Sequence, residues 1–107
     1  MKTTDYGALP LKITSEGTQK RFELHFDGTR AYIDYILNKQ QVIYLTHTEV
    51  PVGFEGKGIG SVLVRKVLQY IRDEELKMAP LCPFVAAYLK RHPEQGENLL
   101  APGFHIG

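Results

Sequence analysis

The chain has a single cysteine, Cys82, so neither an internal disulfide nor a thiolate metal cluster can be assembled from it. It has no excess of charge of either sign: thirteen Lys and Arg against twelve Asp and Glu give a formal +1. That balance argues against a strongly basic nucleic-acid module, though not against a local basic patch. No apolar run approaches the roughly 20 residues that cross a bilayer as a helix. Met1 to Pro10 has no apolar secretory core. A cytoplasmic protein in a reducing compartment, with no membrane partner, is the expectation. The length of 107 residues suits one domain and not two, and 43% apolar residues are enough for a core.

Hydrophobic periodicity changes along the chain. Residues 1–19 are polar and punctuated by Gly7, Pro10 and Gly17, and read as a tail or edge-lying segment. Phe22, Leu24 and Phe26 then alternate with Glu23 and His25, the period of a half-buried strand. Asp27-Gly28 signals a hairpin turn. Ala31–Leu37 is a second strand and Val42–Val50 a third, the latter apolar on both faces in its first half, as a covered central strand is. Pro51 ends the ladder because it has no N–H to donate. Ile59, Val62, Leu63, Val67, Leu68 and Ile71 form a helical stripe running to about Glu75. Met78–Cys82 predicts a short fourth strand, and Pro83 opens a helix through Arg91. The expected fold is α+β: an antiparallel meander of three strands, a helix, a short strand and a helix. The domain is expected over 20–95, with a C-terminal tail over 96–107.

The main chemical signal is the stretch Glu55-Gly56-Lys57-Gly58-Ile59-Gly60-Ser61 between strand and helix. Glycines let a ligand approach backbone closely. A helix's first amides point outward and its dipole favours an anion, so this is a phosphate or pyrophosphate cradle or, failing that, a turn that only caps a helix. Two familiar loops do not fit. Gly53 and Gly58 have P-loop spacing, but Ile59 follows where Lys is needed. Gly56 and Gly58 start a dinucleotide fingerprint, but Ser61 holds its third glycine position, and the loop follows hairpins rather than the first strand of a βαβ unit.

Val50–Gly60, followed by an amphipathic helix, resembles the pyrophosphate loop of the GCN5-related N-acetyltransferases. Glu55 stands where that family has Gln or Arg, and Gly58 and Gly60 match. His47–Pro51, Pro80–Val85 and Arg91–Glu94 flank it in an order similar to that of very small single-domain acetyltransferase-like proteins. The resemblance spans roughly residues 20 to 95. It implies acetyl-CoA as co-substrate, held in the gap where the third strand splays from its neighbour. Main-chain groups of Val50 and Val52 would meet the pantetheine. Glu55 would open the cofactor loop, and the amides of Gly56, Lys57, Gly58, Ile59, Gly60 and Ser61 would hold the pyrophosphate. The implied reaction is direct attack by an amine on the thioester, with the protein supplying position, a base and a proton.

Cys82 falls at the N-cap if Pro83 opens a helix, a place that makes a thiol more reactive, so it is either an acyl carrier, a pocket-lining group or a buried small hydrophobe. Tyr88 matches by position the family's general acid toward the coenzyme thiolate, and packing of its ring in the core is the alternative. Glu49 and His47 share one strand face, while Thr48 and Val50 share the other. Glu49 or His47 could take a proton from an ammonium, or that face could simply be solvated. His92 reads as a helix-end residue. His25, His47, His92 and His105 lack metal-ligand spacing, and no metal is expected. Strand aromatics could stack nucleic acid, but basic interleaving is poor and no nucleic-acid partner is expected. The expected function is an acetyl-CoA-dependent N-acetyltransferase, monomeric, acting on a small-molecule or protein amine. A non-catalytic acyl-CoA-binding protein and acyl transfer through Cys82 are the alternatives.

Overall fold

The computed structural model describes residues 6–104; Met1 to Asp5 and the last three residues, His105 among them, lie outside. Strands β1 (Lys12–Glu16), β2 (Gln19–Phe26), β3 (Thr29–Leu37) and β4 (Val42–Glu49) precede helix α1 (Ile59–Asp73). Strand β5 (Lys77–Pro80) and helix α2 (Pro83–Arg91) follow it. The strands make one mixed sheet in the order β1-β2-β3-β4-β5. The first four are antiparallel, and β5 runs parallel to β4 after the crossover through α1.

The meander therefore has four strands where periodicity predicted three, and the short last strand is the fifth. The additional strand, β1, has the sequence KITSE and exposes most of its side chains. It carries almost no apolar alternation because its place is set by backbone pairing with β2, from Lys12 opposite Glu23 to Glu16 opposite Gln19. Burial and side-chain period detect a buried face, not an edge ladder.

The Asp27-Gly28 turn joins Phe26 to its partner Thr29, and both turn residues have positive φ (47° and 74°), as a type I′ hairpin requires. Phe22, Leu24, Ile33, Ile43 and Leu45 line the inner sheet face and are buried. Helix α1 meets them with Leu63, Val64, Val67, Leu68 and Ile71. Val64 extends the predicted stripe; it is fully buried because the stripe is wider than a strict heptad seam. The helix ends two residues earlier than Glu75. Glu75 takes φ 56° and the Leu76 amide bonds the Ile71 carbonyl at 2.9 Å, a six-to-one closure that stops the ladder.

Helix α2 packs its Val85, Tyr88 and Leu89 beside β4, β5 and α1. Residues 99–101, which show no periodicity, run along β5: the Met78 amide bonds the Leu99 carbonyl at 2.7 Å, and Ala101 N–H bonds the Met78 carbonyl at 2.8 Å. Leu99 and Ala101 are buried there.

Candidate functional site

Strands β4 and β5 pair only from Val42 opposite Lys77 to Leu45 opposite Pro80. Beyond that point Leu45 still accepts the Cys82 amide at 2.9 Å, and then the chain turns into α2 while β4 continues to Glu49. The two strands part, and the gap opens toward the glycine loop.

That loop is folded by its own sequence. Pro51 accepts the Phe54 amide at 3.0 Å, closing a tight turn. Gly53, Gly56 and Gly58 all lie at positive φ (91°, 78° and 82°), a region that costs other L-residues on the order of 1–2 kcal/mol. Glu55 does not reach outward as a ligand: its carboxylate accepts the Gly53 amide at 2.9 Å. Phe54 pins the loop to the core, its ring edge-on to Phe26 at 5.0 Å. Helix α1 begins at Gly58 with no side-chain cap, and its first internal bond is Val62 N–H to the Gly58 carbonyl. The amides of Ile59, Gly60 and Ser61 therefore precede the ladder, at the positive end of the helix dipole.

Loop, helix start and strand enclose a cavity of about 360 Å³, lined by Thr48, Val50, Phe54, Glu55, Gly56, Gly58, Ile59, Gly60, Ser61 and Phe84. Seven of the nine residues expected at a cofactor therefore meet at one place: Val50, Glu55, Gly56, Gly58, Ile59, Gly60 and Ser61. Val52 and Lys57 do not line it. Both are exposed on the outside of the loop.

None of the four residues considered for catalysis, Cys82, Tyr88, Glu49 and His47, lines the cavity. Cys82 is at the N-cap of α2, as Pro83 implied, but makes no capping bond with its side chain. It is buried, and its Sγ lies 2.9 Å from Thr48 Oγ1. Tyr88 is buried in the core with its ring against His92 at 4.7 Å between centroids. Glu49 points to the outer sheet face, where it pairs with His47 Nε2 at 3.0 Å, both half exposed. Three lining residues were not singled out in the sequence: Thr48, Phe54 and Phe84. Strand alternation already put Thr48 on the face of Val50, and that was the available signal.

The outer sheet face is polar and internally neutralised. Arg21 Nε bonds Asp34 at 2.6 Å and its guanidinium stacks on Tyr32, 4.1 Å from the ring centre. The bond to Asp34 raises the arginine's already high pKa, although partial burial opposes it. Glu23 is the one buried charged residue among those described. Burial pushes its pKa up, but hydrogen bonds from His25 (2.6 Å) and Thr14 (2.9 Å), with Arg30 nearby, outweigh it and hold the carboxyl below its ordinary range. On the inner face Tyr35 stacks on Phe22, and burial, with Tyr70 adding to it, raises its hydroxyl pKa. Among the described residues no group of His, Cys, Asp and Glu gathers to hold a metal ion. No described helix is long and apolar enough to cross a membrane.

A sequence profile for GCN5-related N-acetyl-transferases matches residues 21–99, which is most of the chain and takes in β2 to β5, both helices and the glycine loop. The chain belongs to this acetyltransferase family. Among individual relatives, Protein NATD1 of Mus musculus is 28% identical over 86 residues, covering 78% of each chain. Protein NATD1 of Homo sapiens is 28% identical over 86 residues, covering 78% of this chain and 76% of its own. That of Danio rerio is 24% identical over 94 residues, covering 84% and 86%. As a member of the acetyltransferase family, the chain presents its glycine loop where the expected splay of strands occurs, between β4 and the end of β5.

Proposed function

We propose that this protein binds acetyl-CoA in the cavity between β4 and the start of α1 and transfers the acetyl group directly to an amine. The observation that carries the reading is the loop of positive-φ glycines opening α1 at the mouth of the parted strands. The first-turn amides of Ile59, Gly60 and Ser61 suit a pyrophosphate, and glycines at 56, 58 and 60 keep side chains out of that cradle. The wall below is apolar (Val50, Phe54, Ile59, Phe84), as an uncharged pantetheine arm requires. Acetyl-CoA supplies the activated acyl thioester. The chain's part is to fix that thioester at the strand end of the cavity and to keep water from its apolar flank.

Isothermal titration of acetyl-CoA and coenzyme A tests the reading. Micromolar binding, about −8 kcal/mol, that is lost on replacing both Gly58 and Gly60 by valine is the expected result. No binding by the wild-type protein at millimolar ligand would end it. Intact mass after acetyl-CoA treatment separates direct transfer from passage through Cys82; direct attack leaves the mass of the protein unchanged.

A second reading has its own observation. The only carboxylate lining the cavity, Glu55, is engaged by the Gly53 amide, and no histidine lines it. A protein that holds acyl-CoA without turning it over would look like this. Transfer to a panel of primary amines, faster than the uncatalysed rate, would eliminate that reading.

A further inference from the structure

Strand β4 is irregular at one place. Asp34 on β3 pairs with His47, but Tyr35 pairs with Leu45, so Thr46 is an extra residue. Its hydroxyl bonds the Asp34 carbonyl at 3.2 Å. This bulge resets the alternation of the strand. Leu45 and Thr48, three residues apart, both face inward, Leu45 beside Tyr35 and Thr48 beside Ile33. In a regular strand an odd spacing would put them on opposite faces. The bulge therefore delivers a hydroxyl to the cavity that would otherwise face solvent.

Only three of the cavity's lining residues have polar side chains: Thr48, Glu55 and Ser61. Glu55 and Ser61 belong to the loop end. Thr48 alone stands at the strand end, two residues before Val50. It is held there from behind. The backbone of Cys82 is fixed at both ends, its amide on the Leu45 carbonyl and its carbonyl accepting Ala86 N–H at 3.0 Å. Its buried Sγ is the partner of Thr48 Oγ1. When the thiol donates to the oxygen, the hydroxyl proton of Thr48 is left to point into the cavity.

We propose that Thr48 is the residue that meets the coenzyme sulfur, donating its hydroxyl hydrogen to the thiolate as it leaves, with Cys82 as the positioning residue that orients it. The proposal rests on the acetyl-CoA reading above: with the pyrophosphate at the loop, the thioester lies at the strand end. As the amine nitrogen bonds the carbonyl carbon, the carbon–sulfur bond breaks and its electron pair remains on sulfur. The Thr48 hydrogen bond stabilises that charge in a site with an apolar wall. The nitrogen's surplus proton passes to water, and the released sulfur takes one from water, so atoms and charge balance.

The test needs no acceptor. Coenzyme A and desulfo-coenzyme A are titrated into the wild type, Thr48→Val, Thr48→Ser and Cys82→Ala at pH 6.5 and pH 9. The wild type and Thr48→Ser should prefer coenzyme A, and the preference should widen to about tenfold at pH 9, where the thiolate is populated. Thr48→Val should bind desulfo-coenzyme A as the wild type does, which shows that it is folded, and lose the pH-dependent preference. Cys82→Ala should keep it in weakened form. Cys82 and Glu55 are the titratable side chains facing this region from α2 and the loop, and the desulfo ligand senses both equally. A preference unchanged in Thr48→Val, or absent from a wild type that binds both ligands, would overturn the assignment. A wild type that binds neither ligand would overturn the acetyl-CoA reading itself, and the assignment with it.

Discussion

The ring of Phe84 rests directly on the Cα of Gly60: a Cβ added at residue 60 would lie 2.3 Å from Cζ and 2.9 Å from Cε1 of that ring. The first turn of α2 thus touches the first turn of α1 through a missing side chain, and the contact closes one flank of the cavity.

Gly60→Ala should separate stability from binding. Alanine within a helix gains roughly 0.5–1 kcal/mol over glycine, while the methyl group must push aside a ring that is only partly buried. Chemical denaturation should place the variant within about 1 kcal/mol of the wild type. Coenzyme A affinity should fall about tenfold or more because the displaced ring enters the cavity. Adding Phe84→Ala should recover most of that loss, the coupling expected of residues in contact. Additive effects of the two changes would show that the contact has no bearing on the ligand.

Gly58 is constrained differently. A Cβ there would meet nothing within 4 Å, but its φ is +82°. The cost of Gly58→Val is therefore backbone strain, on the order of 1–2 kcal/mol. Gly58→Asn should cost less, since asparagine visits this region more readily. Thermal unfolding of the two variants ranks them; equal losses would point to side-chain crowding instead.

The sequence made the helices and the inner strand faces legible because each buries one face, and burial imprints a period. The glycine loop was legible because three residues need positive φ, and glycine announces that need. Strand β1 was not, since an edge strand held by backbone pairing leaves no apolar period. The Thr46 bulge was not either: nothing in VIYLTHTEV marks the extra residue, which is recognised only against its partner strand. Position in sequence also suggested Tyr88 and Glu49 as neighbours of the ligand, whereas helix rotation buries the first and the Thr46 bulge turns the second to the outer face.

Glu23 ties three strands together through Thr14 on β1, its own strand neighbour His25, and Arg30 on β3. Its pKa is lowered in the folded state from an ordinary 4.5. A depressed carboxyl stabilises the fold above its unfolded value and loses that contribution as pH falls through the folded value. Glu23→Gln should cost about 1–2 kcal/mol at pH 7, and the gap to the wild type should shrink as pH drops below about 4.5. Urea titrations across pH 3 to 7 measure it. A gap independent of pH would mean that shape, not charge, is what the site requires.

Phe54→Ala should loosen the loop more than the fold. The ring is only partly buried and its chief aromatic partner is Phe26. Amide exchange should quicken over residues 52–58 while the strands stay protected. Coenzyme A affinity should fall severalfold because the loop must then be ordered at the moment of binding. Unchanged exchange in the loop would show that the glycine turns hold themselves.

The strip formed by residues 99–101 has a consequence for solubility. A sheet's outermost strand is a template on which foreign strands can grow. Here the β5 border is already occupied by the chain's own carboxyl-terminal segment through Met78. Within the described part of the molecule, unprotected template remains along β1, which is only five residues long and carries charges at both ends. Trimming the chain back past Leu99 would uncover this second border, converting a blocked margin into a sticky one.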